Sequence, residues 1–174
     1  MVKHKVFVSF HHEDEEWRRK FEKIMKNYII NCSVEIGDID PTNNTETIRR
    51  KIRDEYIRDA TVIVVLIGKK TWQRKHVDWE IYSALRNTEY NSRCGLLGVF
   101  LPTYPLPNNK YDSHTIPPRL YKNIKNGFGM LINWTDDSSK IEKIIDDVFQ
   151  SKDKINPDLS GDLFAKNRTT DRWE

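Results

Sequence analysis

The chain has 174 residues, of which 37% are hydrophobic and 32% charged, enough for one ordinary domain with a buried core and short for two. No stretch approaches the roughly 18 consecutive apolar residues of a membrane helix, and MVKHKVFVSF lacks a signal-peptide layout, so the expected location is the cytoplasm without a membrane. The net charge of +3 is spread over interleaved Lys, Arg, Asp and Glu, and the two cysteines, Cys32 and Cys94, form no CxxC pair; nucleic-acid binding, a disulfide framework and a zinc site therefore find no support.

Val6 to Phe10 is a short β-branched and aromatic run that reads as a first strand leading into a functional loop. From Glu13 onward Trp17, Phe21, Ile24, Met25 and Tyr28 recur at helical spacing, with acidic residues first and lysines later, as the helix dipole favours. Ser33 to Ile36 reads as a second strand. The turn formers of GDIDPTNNT follow, with Asn43 or Asn44 as a cap for a helix carrying Ile48, Ile52, Tyr56 and Ile57. TVIVVLI, residues 61–67, has no polar alternation and suits a central strand buried on both faces of a parallel sheet. A helix with Val77, Ile81, Ala84 and Leu85 comes next, then a second buried strand, GLLGVFL at 95–101.

Five of the seven prolines fall between Pro102 and Pro118, so residues 102–127 read as a long irregular insertion, either a site lid or an assembly surface. GFGMLINW supplies a last strand ending near Trp134. A last helix carries Ile141, Ile144, Ile145, Val148 and Phe149, with Thr135, Asp136 and Ser138 available to cap it. The domain is thus expected over 1–150, with 151–174 a weakly ordered C-terminal tail.

Strand and helix alternate about five times, which predicts an α/β three-layer fold: a mostly parallel five-stranded sheet of flavodoxin-like order 2-1-3-4-5 with helices on both faces. Ligands of such sheets bind beyond the carboxyl ends of the strands, at the switch point between strands one and three. The loops after Phe10 and Ile67 are therefore the ones that matter. A receiver-type phosphoacceptor on this fold would need an aspartate at the end of strand one or three, where Phe10 and Gly68 stand.

The stretch GKKTWQRKHVDWEI, residues 68–81, leaves the central strand at that edge and begins the next helix. At about 100° per residue the apolar residues Val77, Ile81, Ala84 and Leu85 form one stripe, with Glu80 on one border and Asp78 on the other. Helical geometry does not choose between the two carboxylates. The plainest reading makes both solvated charges on the helix flank.

VFVSFHHEDEEWRRKF resembles the opening strand, loop and first helix of TIR domains, and VIVVLIGKKTWQRKHVDWEI resembles their third strand and helix. The similarity is greatest to bacterial TIR-like proteins, including those of the Thoeris anti-phage defence system; it covers about residues 3–150 and includes IPPRLYKN at 116–123. Where NAD-cleaving TIR domains of plants and animals carry W-C-x-x-E, this chain has His76 and Val77 at the first two positions. The resemblance implies that Glu80 is catalytic, that NAD is the substrate and not a bound cofactor, and that the product is ADP-ribose or a cyclic ADP-ribose isomer. Nicotinamide already carries the positive charge of the bond that breaks, so it departs neutral without a general acid, and one carboxylate suffices to stabilise an oxocarbenium-like transition state.

The candidate substrate contacts around Glu80 are Phe10, His11, Asp38, Lys69, Thr71, Trp72 and His76. Phe10 would stack on a base, with an apolar lid as the alternative. His11 would meet ribose or phosphate, or else be a surface imidazole. Lys69 and Thr71 would assist a helix N-terminus in holding a pyrophosphate, Trp72 would be either a hydrophobic anchor or a stacking platform, and Asp38 would reach a ribose. His11, His12 and Asp14 are poorly arranged for a metal, and none is expected. The Thoeris-like resemblance further implies a separate effector protein reached through a diffusible product, a phage-derived trigger and a homo-oligomer. A TIR interaction module that assembles without turnover is the alternative.

Overall fold

The long apolar runs become the centre of a parallel sheet. The computed structural model describes residues 2–32, 47, 51, 55, 57–89 and 91–174. Strand β1 is His4–Ser9, β2 is Ile29–Asn31, β3 is Val62–Ile67, β4 is Gly95–Phe100 and β5 is Met130–Asn133. All neighbouring pairs are parallel, in the order β2-β1-β3-β4-β5, with Val6 opposite Val62 and Val62 opposite Gly95. Every residue of β3 and β4 is buried. That is the consequence of a parallel sheet covered on both faces, and it is why these strands read as uninterrupted apolar runs.

Four α-helices lie among the described residues: α1 (Glu15–Met25), α2 (Lys75–Leu85), α3 (Pro118–Lys125) and α4 (Ser138–Ser151). The pleat divides the core. Phe7, Ile63, Val65 and Ile67 face one layer, where Val77, Ile81 and Leu85 of α2 and Leu120 of α3 pack. Val6, Val8, Val64 and Leu66 face the other, against Phe21 and Met25 of α1 and Ile141, Ile145 and Val148 of α4. No helix among the described residues is long and apolar enough to cross a membrane. Both cysteines are free thiols, and burial pushes that of Cys94 up to about 12.

Local details depart from the expected boundaries for local reasons. Strand β1 starts two residues early and stops at Ser9, leaving Phe10 outside it, and α1 ends at Met25 before Tyr28. The strand paired with β1 is Ile29–Asn31; the Ser33–Ile36 run expected to fill this place lies outside the described residues, as do Asn43, Asn44, Ile48, Ile52 and Tyr56. Asp137 caps α4 through Lys140 N at 3.1 Å, because Thr135 accepts from Asp137 N and Asp136 from the Trp134 indole. Within the stretch 102–127, expected to be irregular, Pro118–Lys125 forms α3 with Pro in its first turn and Leu120 on its buried side.

Candidate active site

Two residues on facing elements make the core of the site. Ser9 ends β1 with 1% of its surface exposed, on the face of the sheet that α2 covers, and its hydroxyl donates to Glu80 Oε2. Glu80 stands on the border of the α2 stripe, half-buried, at the carboxyl edge between β1 and β3. Burial pushes its carboxyl up to about 8, against the opposing pull of the Ser9 hydrogen bond. Around neutral pH these surroundings therefore favour the protonated form of Glu80, and a cation brought alongside would favour its ionised form.

Asp78 is a different kind of carboxylate. It is 3% exposed, its Oδ1 lies 3.0 Å from Arg119 Nε, and its Oδ2 accepts from Phe164 N at 3.0 Å. The expectation that both acids are solvated flank charges is thereby corrected: Asp78 is a buried structural ion pair, and of the two only Glu80 keeps part of its surface exposed.

The remaining candidates separate in the same way. His11 is 3% exposed and accepts from Glu13 N through Nδ1 at 3.0 Å, so its neutral form carries the proton on Nε2 and offers a donor. Burial, followed by the charges of His12, Arg74 and Lys70, lowers it to about 4, which keeps it neutral at physiological pH. It is a buried ring and not a surface imidazole. His11, His12 and Glu13 bring ligand-type atoms within 4.8 Å of one another, but Nδ1 of His11 is engaged and Glu13 pairs with Lys70 Nζ at 3.1 Å. The cluster as folded holds its own hydrogen bonds instead of presenting three free lone pairs.

Phe10 packs with the α1 and α4 layer, its ring 5.2 Å from the Arg18 guanidinium, and so belongs to the other side of the sheet from Glu80. Thr71 is fully buried; its hydroxyl accepts from Gly68 N at 2.8 Å and donates to Leu66 O at 3.2 Å, which fastens the loop after β3 and commits the group expected to meet phosphate. Trp72 is 2% exposed, with an indole N–H that has no hydrogen-bond partner among the described residues. Lys69 is exposed, and His76 is half-buried with its ring edge-on to Trp79, its pKa lowered first by burial and then by Lys75 and Arg74. Asp38 lies outside the described residues. The start of α2 is also not an open anion site, since Asn167 Oδ1 already accepts from Lys75 N at 3.0 Å.

Ser9, Arg119 and Asn167 are the residues that sequence reasoning missed. Ser9 was visible as a small polar residue closing an apolar strand. The other two carry no local signal, because their partners are 41 and 92 residues away in the chain.

A family model described as Thoeris protein ThsB, TIR-like domain, matches residues 7–105. The chain belongs to that family. The match runs from within β1 to just past β4, so Ser9 and Glu80 both lie inside this TIR-like stretch, while α3, α4 and the C-terminal segment lie beyond it. No curated protein matches the chain.

Proposed function

We propose that this TIR-like protein consumes NAD, cleaving the bond between ribose C1′ and nicotinamide with Glu80 as the catalytic residue. The observation that carries the reading is the Ser9–Glu80 pair: a carboxyl with a raised pKa, held in place by a hydroxyl, at the sheet edge where this fold places its ligands. The nicotinamide ring of NAD is a cation. Brought beside Glu80 it lowers the carboxyl's pKa, so that the proton passes to water and the desolvated carboxylate left behind faces the charge that moves onto C1′ as the bond breaks.

The step balances without a general acid. The C1′–N bond breaks, its electron pair goes to the ring nitrogen, and nicotinamide leaves neutral while the ribose takes up oxocarbenium character. Attack by water at C1′ and loss of one proton gives ADP-ribose; attack by a hydroxyl or adenine nitrogen of the same molecule gives a cyclic isomer. Membership of the Thoeris family favours the cyclic product, acting as a diffusible signal to a separate effector in cytoplasmic anti-phage defence, with a phage-derived trigger and self-assembly as the means of switching it on. His11, as a neutral Nε2–H donor buried after β1, is assigned to the ribose or phosphate of the substrate.

The deciding experiment is chromatography with mass detection on extracts of cells expressing the wild type or Glu80→Gln, with and without phage. An infection-induced species of cyclic ADP-ribose mass that depends on Glu80 is the expected result. ADP-ribose alone would make the enzyme a hydrolase. Intact NAD in verified infected cells would discard the enzyme reading in favour of an interaction module.

A further inference from the structure

From Asp158 to Trp173 the chain forms no helix or strand, yet it is fastened to the domain at several places, three of them central. The first is Arg119, 4% exposed, whose guanidinium donates to the carbonyls of Leu159, Ser160, Gly161 and Asp162 at 3.2–3.5 Å while its Nε holds Asp78. The second is α2 itself: Phe164 N donates to Asp78, the Trp79 indole donates to Phe164 O at 2.8 Å, and Asn167 caps Lys75 N. The third lies on the loop before α3, where the Trp173 indole stacks on His114 at 4.5 Å and donates to Ile116 O at 2.7 Å. A tail expected to be weakly ordered is thus a strap. The reason is that its own backbone groups, lacking a ladder, are satisfied by Arg119, Asp78 and Trp79.

The direction of the grip matters. With Val77 at zero and about 100° per residue, Asp78 falls near 100°, Trp79 near 200° and Glu80 near 300°, the core stripe lying around zero. The strap holds the Asp78 and Trp79 sectors and leaves the Glu80 border alone. A plug would grip the catalytic border; this segment grips the one opposite. Arg74, at the N-cap of α2, makes no side-chain capping bond, so Asn167 supplies from a distance the cap that the local sequence lacks.

We infer that the C-terminal segment is a splint that positions Glu80: clamped to Asp78, Trp79 and Lys75, it sets the height and rotation of α2 and so keeps Glu80 against Ser9. Asn167 is a positioning residue in this arrangement and touches no substrate. The kinetic consequence rests on the NAD-cleaving reading; the structural consequence does not. A displacement of about 1 Å at a reacting group can cost about a hundredfold in rate, so a single lost cap is enough to be read.

The test uses full-length Asn167→Ala, confirmed folded by its melting transition, with Asn167→Asp as the conservative variant that keeps an acceptor for Lys75 N. Carboxyl-labelled glutamate followed by NMR, with the Glu80 signal assigned from Glu80→Gln, gives the titration midpoint of Glu80 directly. In Asn167→Ala that midpoint falls by about one pH unit or more toward the ordinary carboxyl range, because a displaced α2 lets water reach the carboxyl and the lost burial outweighs the lost pull of the Ser9 hydroxyl. NAD turnover shows kcat down about tenfold with KM within about twofold, and Asn167→Asp restores both. An unchanged midpoint with unchanged kcat in the folded variant overturns the splint, and so does a rise in turnover, which would make the segment an inhibitor. Should Asn167→Ala not fold, Trp173→Ala at the far anchor carries the same two readouts. If the wild type leaves NAD intact, the functional reading fails and the titration alone decides the splint.

Discussion

Asp78 and Glu80 stand two residues apart on one helix and lead opposite lives. Asp78 is locked between Arg119 and the Phe164 amide with both oxygens in use, whereas Glu80 among the described residues meets a single hydroxyl and is left by burial with a carboxyl near 8. A buried acid paired with a guanidinium stabilises only as long as its partner remains; an acid drawn out of water beside no cation keeps its proton longer and destabilises once it ionises. The first arrangement serves the fold. The second stores a group ready to respond to a cationic ligand, at some expense in stability.

Substitution at each acid should break this contrast most strongly. Glu80→Gln keeps volume and the Ser9 contact while removing the charge, so turnover of NAD falls about 100- to 1,000-fold while the melting temperature is unchanged or higher. Asp78→Asn leaves the buried Arg119 charge uncompensated, costing about 3 kcal/mol, or roughly 6–12 °C in melting temperature for a domain of this size, as checked by thermal and denaturant unfolding. Asp78→Asn is therefore no neutral control: equal stability in the two variants would erase the distinction drawn between the acids.

The pH dependence sharpens it further. The Glu80 carboxyl releases its proton near 4.5 when unfolded and near 8 when folded, so the folded state holds more protons between those values and stability falls as pH rises through that window, levelling off above about 8. Glu80→Gln lacks this loss. The melting temperature of Glu80→Gln minus that of the wild type should be near zero at pH 4 and grow up to about pH 8; His11, common to both proteins, cancels in the difference. A flat difference would mean that Glu80 is not held protonated. In the same range kcat/KM of the wild type should rise with pH to about 8, as less of the enzyme has to give up a proton on binding the cationic substrate.

The smallest effect is expected at Ser9. Its hydrogen bond favours the ionised carboxyl, so Ser9→Ala raises the Glu80 midpoint above the wild type and shifts the rise of kcat/KM to higher pH, lowering turnover at pH 7 about tenfold. A profile that moves the other way would indicate that the hydroxyl stabilises the protonated acid.

TVIVVLI and GLLGVFL, by themselves, were sufficient to place two strands at the middle of a parallel sheet, because only a strand buried on both faces can dispense with polar alternation. The 3.6-residue recurrence of Val77, Ile81, Ala84 and Leu85 likewise determined which side of α2 meets the core. Helix α3 was less visible, since Pro117 and Pro118 read as loop residues although Pro118 opens the helix and Leu120 buries its inner side. What periodicity could not do was tell Asp78 from Glu80: both sit on the borders of the same stripe at the same polarity. The tertiary structure decided that by bringing Ser9 from 71 residues away, Arg119 from 41 and Phe164 from 86. A carboxyl's role depends on the charges and donors within a few ångströms of it, and in a parallel α/β fold those neighbours come from distant stretches of chain, where local sequence pattern carries no record of them.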